Sequence, residues 1–317
     1  MLGSNRRRHA PRKRGIQDSW AQAVSARPDG SRLRLLDCPL SRAMTVEREW
    51  PIRHLAAVLL AILTACAVVD AASAAQCGGD FNEFLSTFRR EAAAQGVSAR
   101  ALATLDGLTP NPQVIALDHR QGVFHQSFEQ FATHRIAERL AKGQRMMQTY
   151  APVLQRIERQ FGVPGSVVIA IWGLETDFGA DIGKTPVIRA LATLANDCRR
   201  SQMFQGELLA ALQIIDRGDL SPAEMRGAWA GELGQAQFLP SNYIKFAVDF
   251  DGNGRRDLIH SVPDTLASIA NLLKNFGWQA GGGYREGSAN FSVLTAWNKS
   301  TVYQQTIAAF AARLDGG

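Results

Sequence analysis

Residues 167–174, VVIAIWGL, constrain this chain more than any other stretch. A helix apolar on every face cannot lie on a surface; it has to be the centre of a core with other elements wrapped around it. Pro164 marks its start, and Gly173 and Gly179 let another backbone or a ligand come close. The run then ends in a single carboxylate, Glu175, within the sequence GLETDFG. An ionised carboxylate taken out of water is costly unless it is paired, or it takes up a proton instead. Glu175 is therefore either a structural acid, paired for instance with Lys184 or Arg189, or a tuned catalytic one. At the C-terminal end of the helix the dipole is negative, which together with burial pushes a carboxyl pKa upward. A glutamic acid still protonated near neutral pH has a proton to give to a leaving oxygen.

The rest of the chain supplies helices to surround that centre. Phe124, Phe128 and Phe131, then Tyr150, Leu154, Ile157 and Phe161, recur at helical spacing, and Gly162 stops the second set. Thr185-Pro186 opens a helix carrying Ile188, Leu191 and Leu194. Ser221-Pro222-Ala223-Glu224 reads as a capping box that starts another. A further helix begins near Pro263-Asp264, carries Leu266, Ile269, Leu272 and Phe276, and stops at Gly277. With no sustained alternation of period two and no internal repeat, the fold class is mainly α, α+β at most.

Composition matters mainly through its distribution. At 46% hydrophobic and 20% charged over 317 residues, the chain is globular and long enough for one or two cores. Ten of the 35 Lys and Arg and three of the 29 Asp and Glu fall in residues 1–43, so that segment carries +7 and the remainder sums to −1. The basic character belongs to a Pro/Arg-rich leader without an apolar face, which reads as disordered and argues against nucleic-acid binding. Residues 44–75 read as a secretory signal: Arg48, Arg53 and His54 precede an apolar run from Leu55 to Val69, and Ala72-Ser73-Ala74 offers a cleavage site. Met44 is then the expected start, and residues 1–43 are a leader that need not be translated. Leu63-Thr64-Ala65-Cys66 resembles a lipoprotein box, and lipid on Cys66 would associate the protein with the outer membrane; the apolar run continuing to Val69 favours ordinary cleavage. Residues 76–317 form the exported region. It keeps Cys77 and Cys198, an even pair that reads as a disulfide in an oxidising compartment.

A second stretch, GAWAGELGQAQFLPSNY at 227–243, bears on Glu175. Its glycines make a tight backbone, Gln235 and Gln237 offer donors and acceptors, and Trp229, Phe238 and Tyr243 offer flat faces. Amides beside aromatics suit a neutral sugar polymer. In order, GLETDFG, GELGQAQFLPSNY, DFDGNGRRDL and NLLKNFGW resemble the lytic murein transglycosylase B family, over about residues 77–313.

The resemblance implies a lysozyme-like helical core, export to the periplasm, and cleavage of peptidoglycan glycan strands between N-acetylmuramic acid and N-acetylglucosamine. It implies Glu175 as the single catalytic acid, Gln237 in the cleft, and Asn298 and Tyr303 of WNKSTVY at the substrate. Catalysis on this reading needs no cofactor. Ordinary glycosidases use two carboxylates. One suffices if the muramyl 6-hydroxyl attacks intramolecularly, with the proximity advantage that brings, and leaves a 1,6-anhydro end. Asp177 is two residues on and off the Glu175 face; Glu232, in the glycine turn, is the rival second acid. Ala228 replaces an expected serine that positions the acid, leaving Gln237 as the substitute for that role, and Leu272 replaces an expected aromatic. Two other readings are a hydrolytic muramidase using Glu232 or a held water, and a wall-binding protein that does not cut.

The loop DFDGNGRRDLIH has EF-hand spacing: Asp249, Asp251, Asn253, Gly254 at the sixth place, the Arg255 carbonyl and Asp257. His260 stands where a bidentate Glu is expected. The family resemblance implies an EF-hand-like loop, near 249–264, that holds a structural Ca²⁺ and takes its last acid from further on, at Asp264. A calcium sensor usually pairs two such loops, and this chain has one.

Overall fold

The computed structural model describes residues 75–120 and 127–316. The leader, the signal segment, Cys66 and Phe124 lie outside the described residues. Within them twelve α-helices and one two-residue strand pair make up the regular structure, apart from a single 3-10 turn.

The central helix is α6 (Gly165–Thr176), and all twelve of its residues are buried. It is packed by α4 (Phe128–Thr149), α5 (Ala151–Phe161), α10 (Val262–Asn275) and α12 (Thr301–Leu314). Each Val, Ile or Leu fully removed from water contributes about 1.5–3 kcal/mol, so this run is the main apolar investment of the fold. The flanking helices begin where local chemistry dictates. Ser127 and Gln130 form a reciprocal capping box for α4, and Ser261 caps α10. Gly162 closes α5 at φ 75° and leads directly into Pro164.

A second layer is built from α7 (Val187–Asn196) packed on α8 (Ser201–Arg217), with α9 (Pro240–Phe246) against α8. Strands β1 (Thr185–Pro186) and β2 (Arg226–Gly227) pair antiparallel. They tie the segment after α6 to the glycine-rich turns at 227–238. α1 (Phe81–Ala94), α2 (Ala99–Leu102) and α3 (Pro112–His119) cover the outside, and α11 (Ala289–Trp297) leads into α12. Cys77 is bonded to Cys198, with the Cα atoms 5.1 Å apart. Closing a loop of 121 residues stabilises by roughly 4–5 kcal/mol in the chain-entropy model.

One expected helix is absent. Ser221 N–H does bond Glu224 Oε2 at 2.7 Å, but residues 222–224 form a single turn. The chain must straighten at once so that β2 can reach β1, and Val187 N–H bonds Met225 O at 2.9 Å. No helix of the described residues is long and apolar enough to cross a membrane.

Candidate active site

Glu175 sits in the last turn of α6, 2% exposed. Its Oε1 accepts two hydrogen bonds, from Trp297 Nε1 at 2.7 Å and from the Tyr303 hydroxyl at 2.7 Å. Both donors come from more than 120 residues away, at the end of α11 and the start of α12. Tyr303 is held against Phe131 of α4, and burial, then the charge of Glu175, raises its pKa well above the ordinary tyrosine value. It therefore remains a donor. Trp297 packs on Phe238, with ring centroids 5.7 Å apart.

The C-terminal end of α6 is not left negative, as the helix dipole alone would have it. Arg139 Nε donates to Gly173 O at 2.9 Å, and Lys142 Nζ donates to Asp177 O at 2.7 Å. Asp177 pairs with Lys142 at 3.5 Å and is a capping residue, not a second acid.

The chain leaves α6 under strain. Among the described residues the non-glycine positions with left-handed φ are Asp177 (52°), Phe178 (60°) and Gln237 (50°), all at this site. Such conformations cost on the order of 1 kcal/mol or more each and need surroundings that enforce them. Phe178 folds back over Gly173, where a Cβ would come within 2.6 Å of its ring. That contact, with an edge-on packing against Trp172, explains the glycine.

The residues expected at the substrate divide into two groups. Gln235 accepts from Trp172 Nε1 at 3.0 Å and donates to Ile259 O at 2.8 Å, so its amide joins α6 to the acidic loop. Phe238 is a core ring behind Trp297. Tyr243 is 0% exposed with its hydroxyl on Arg256 O. In this structure the polar atoms of Gln235 and Tyr243 and the ring of Phe238 are engaged within the protein. Tyr303 is likewise spent on Glu175. Gln237 does not orient Glu175 as expected; its Nε2 donates to Gly234 O at 2.9 Å and Ile182 O at 3.2 Å. Asn298 is 0% exposed, and its Oδ1 accepts from Ser300 N–H at 2.9 Å. Its Nδ2 has no acceptor among the described residues, as is also true of Trp229 Nε1. Trp297 is the residue that the sequence reading passes over. Its only signal is adjacency to Asn298, in a motif read for its polar members.

Glu232 is also 2% exposed, and Oε2 accepts from Ala230 N–H at 3.2 Å. Burial, with a smaller contribution from the charge of Glu175, raises its pKa to about 7.

In the acidic loop, Asp249, Asp251 and Asp264 bring one ligand atom each within 4.8 Å of one another. Asp257 does not join them. Its oxygens accept from Ile259 N–H and His260 N–H, and Oδ2 faces His260 Nδ1 at 3.0 Å. Asn253 Oδ1 accepts from Arg255 N–H at 2.9 Å. Asp264 is buried at the centre of the loop, accepting from the N–H groups of Phe250, Asp251 and Asp257. Burial outweighs those donors and leaves its carboxyl raised.

The fold and the site define a helical protein built around one buried carboxyl group at the end of its central helix. The family model described as Transglycosylase SLT domain matches residues 80–286, and the chain belongs to that family. It is 34% identical over 181 residues to membrane-bound lytic murein transglycosylase B of Escherichia coli, covering 57% of this chain and 49% of the relative. The chain thus spans about half the length of that curated relative. SltB3 from Pseudomonas aeruginosa in complex with NAG-NAM-pentapeptide is 30% identical with a TM-score of 0.71, over 76% of this chain and 81% of that one. The same protein in complex with NAG-anhNAM-pentapeptide is 29% identical with a TM-score of 0.70, over 76% of this chain and 80% of that one. The Escherichia coli lytic transglycosylase SLT35 in complex with calcium shares the fold at 24% identity and a TM-score of 0.66, over 78% of this chain and 98% of that one.

Proposed function

We propose that this chain is a lytic transglycosylase that cleaves the bond between N-acetylmuramic acid and N-acetylglucosamine in peptidoglycan, with Glu175 as acid and then base. The observation that carries this reading is a buried carboxyl with two donors on one oxygen, Oε1. The neutral acid accepts these two bonds at Oε1 and carries its proton on Oε2. Donated to the glycosidic oxygen, that proton leaves a carboxylate whose charge is shared with Oε1, where Trp297 and Tyr303 already point. Such preorganised donors are worth most where charge develops away from water. The carboxylate then takes the proton of the muramyl 6-hydroxyl as that oxygen closes on the anomeric carbon, and one proton has been lent and returned. Since the acceptor is part of the substrate, no second carboxylate has to activate water. Complexes of a relative with NAM- and anhNAM-containing fragments support a muramyl substrate and an anhydro product.

Gln237 and Asn298 are the substrate-facing candidates, and the unpartnered Nδ2 of Asn298 suits a sugar or acetamido oxygen. Residues 44–75 act as a signal for export to the periplasm, residues 76–317 are the catalytic region, and the Cys77–Cys198 bond suits that oxidising compartment. A structural Ca²⁺ would be held by Asp249, Asp251 and Asp264, with Asn253 and the Arg255 carbonyl completing an oxygen shell. It would neutralise the loop's carboxylates and take no part in the reaction.

Mass spectrometry of fragments released from purified peptidoglycan tests the proposal. Anhydromuramyl ends, lost in Glu175→Gln, are the expected result. Reducing muramic acid ends would make water the acceptor and the protein a muramidase. Binding without release by folded protein would make it a wall-binding module.

A further inference from the structure

Arg139 is a charge in a place where charges are rare. It lies in the middle of α4 and is 4% exposed, and an arginine is almost never buried this far without partners that use it. Its Nη1 donates to Arg135 O at 3.0 Å, on its own helix, and its Nε donates to Gly173 O at 2.9 Å, on α6. Glu138 and Asp177 answer its charge at 3.5 and 4.0 Å. The planar guanidinium thus joins the backbones of two helices as a strut of fixed length.

The far end of the strut lands on the turn that carries Glu175. Gly173 stands two residues before the acid and Asp177 two after it. Gly173 O also accepts the N–H of Asp177 at 3.1 Å, so the last bond of α6 and the strut share one acceptor. Beyond it come the strained Asp177 and Phe178, and the Phe178 ring is caught between Gly173 of α6 and Gly143 of α4, where a Cβ would stand 2.6 and 3.5 Å from its Cζ. The same helix reaches the other side of the site: Phe131 packs on Tyr303, with ring centroids 5.9 Å apart. One helix therefore fixes both the turn of the acid and one of its two donors. A methionine would fill the space of Arg139 without burying a charge. It would leave Gly173 O without the strut.

We infer that Arg139 is a positioning residue for Glu175: from α4 it holds the last turn of α6 where Glu175 Oε1 meets Trp297 and Tyr303. It acts through the backbone of Gly173 and touches neither the carboxyl nor the substrate. The left-handed residues after Glu175 persist only while their surroundings enforce them, so without the strut the turn relaxes and the acid moves off its donors. Hydrogen bonds weaken steeply once length or angle departs from the optimum, which makes a small displacement sufficient. The inference rests on Glu175 being the acid of the proposed reaction.

The indole ¹H–¹⁵N NMR resonance of Trp297 reports the bond to Glu175, and fragment release reports the chemistry. Both are to be read in wild type, Arg139→Met and Arg139→Lys, with the resonance assigned by its loss in Trp297→Phe. In Arg139→Met the indole proton should move upfield as its bond to Oε1 is lost, and kcat per folded molecule should fall about 100-fold with KM nearly unchanged. Arg139→Lys, which can still donate to Gly173 O but cannot also hold Arg135 O, should lie between wild type and Arg139→Met in both readouts. A merely structural Arg139 would lower Tm while kcat per folded molecule and the Trp297 resonance stay as in wild type, which overturns the inference. If wild type releases no anhydromuramyl fragments while the resonance still moves in Arg139→Met, the proposed reaction fails and the strut stands. Should Arg139→Met not fold, Arg139→Lys decides: a lowered kcat with a moved resonance supports the inference, and wild-type values of both sink it.

Discussion

The end of α6 and the acidic loop at 249–264 both bury carboxylates, and they satisfy them in opposite ways. Asp264 is served by backbone N–H groups of residues 250, 251 and 257, all within 14 positions of it. Glu175 is served by side chains 122 and 128 positions away. The loop is a local structure that organises itself; the site exists only when α6, α11 and α12 are packed together. Removing a carboxylate from the loop should cost stability, and removing the one at the site should cost chemistry.

The sharpest way to break that contrast is Glu175→Gln. We expect fragment release to fall by at least about three orders of magnitude with Tm within a few degrees of wild type, since an amide keeps the volume but has no transferable proton. A large loss of Tm would mean that Glu175 is structural. Tyr303→Phe comes next. It removes one of two donors to Oε1 and should lower kcat by about 10- to 1000-fold with little change in KM, as loss of one preorganised donor does elsewhere. Trp297→Phe should act similarly, with an added packing loss against Phe238.

Asp264→Ala tests the other side. Three N–H groups, two of them buried, lose their acceptor, which should cost about 3 kcal/mol by urea unfolding. Activity per folded molecule should be nearly unchanged; a specific activity lost in proportion to Glu175→Gln would show that loop and site are one unit. Calcium gives a smaller effect of the same kind. A Tm that rises by a few degrees with Ca²⁺ and falls with a chelator, in wild type but not in Asp249→Asn, would support the proposed ligand set.

Glu232 contributes the pH dependence. A carboxyl raised from 4.5 to about 7 on folding holds its proton longer in the native state than in the unfolded chain. Its contribution is therefore fully present below about pH 4.5 and is lost as pH rises through 7. Stability of wild type relative to Glu232→Gln should decline over that window by about 2 to 3 kcal/mol, a difference that pH-dependent urea unfolding would read.

Much of this was legible early because it is set by near neighbours along the chain. The all-apolar run at 167–174 dictated a central helix, Gly162 and Pro164 its entry, and the paired cysteines their bond. The Asp-rich loop was readable because its acids lie close together in the chain, although the spacing suggested Asp257 and the folded loop turns that side chain to His260. The helix expected after Ser221 failed because strand pairing with β1, a contact across 40 residues of chain, overrides a local capping signal.

What the sequence determined by itself was therefore a helical protein with one carboxylate stranded at the end of its most apolar helix. Only the tertiary structure decided what meets that carboxylate. Trp297 and Tyr303, not Gln237, hold it, and Tyr243 and Gln235 turn inward. The physical reason is range. Helix periodicity, caps and turns act over three to five residues and are written in order, whereas the field at a buried carboxyl is summed over groups that packing alone brings together.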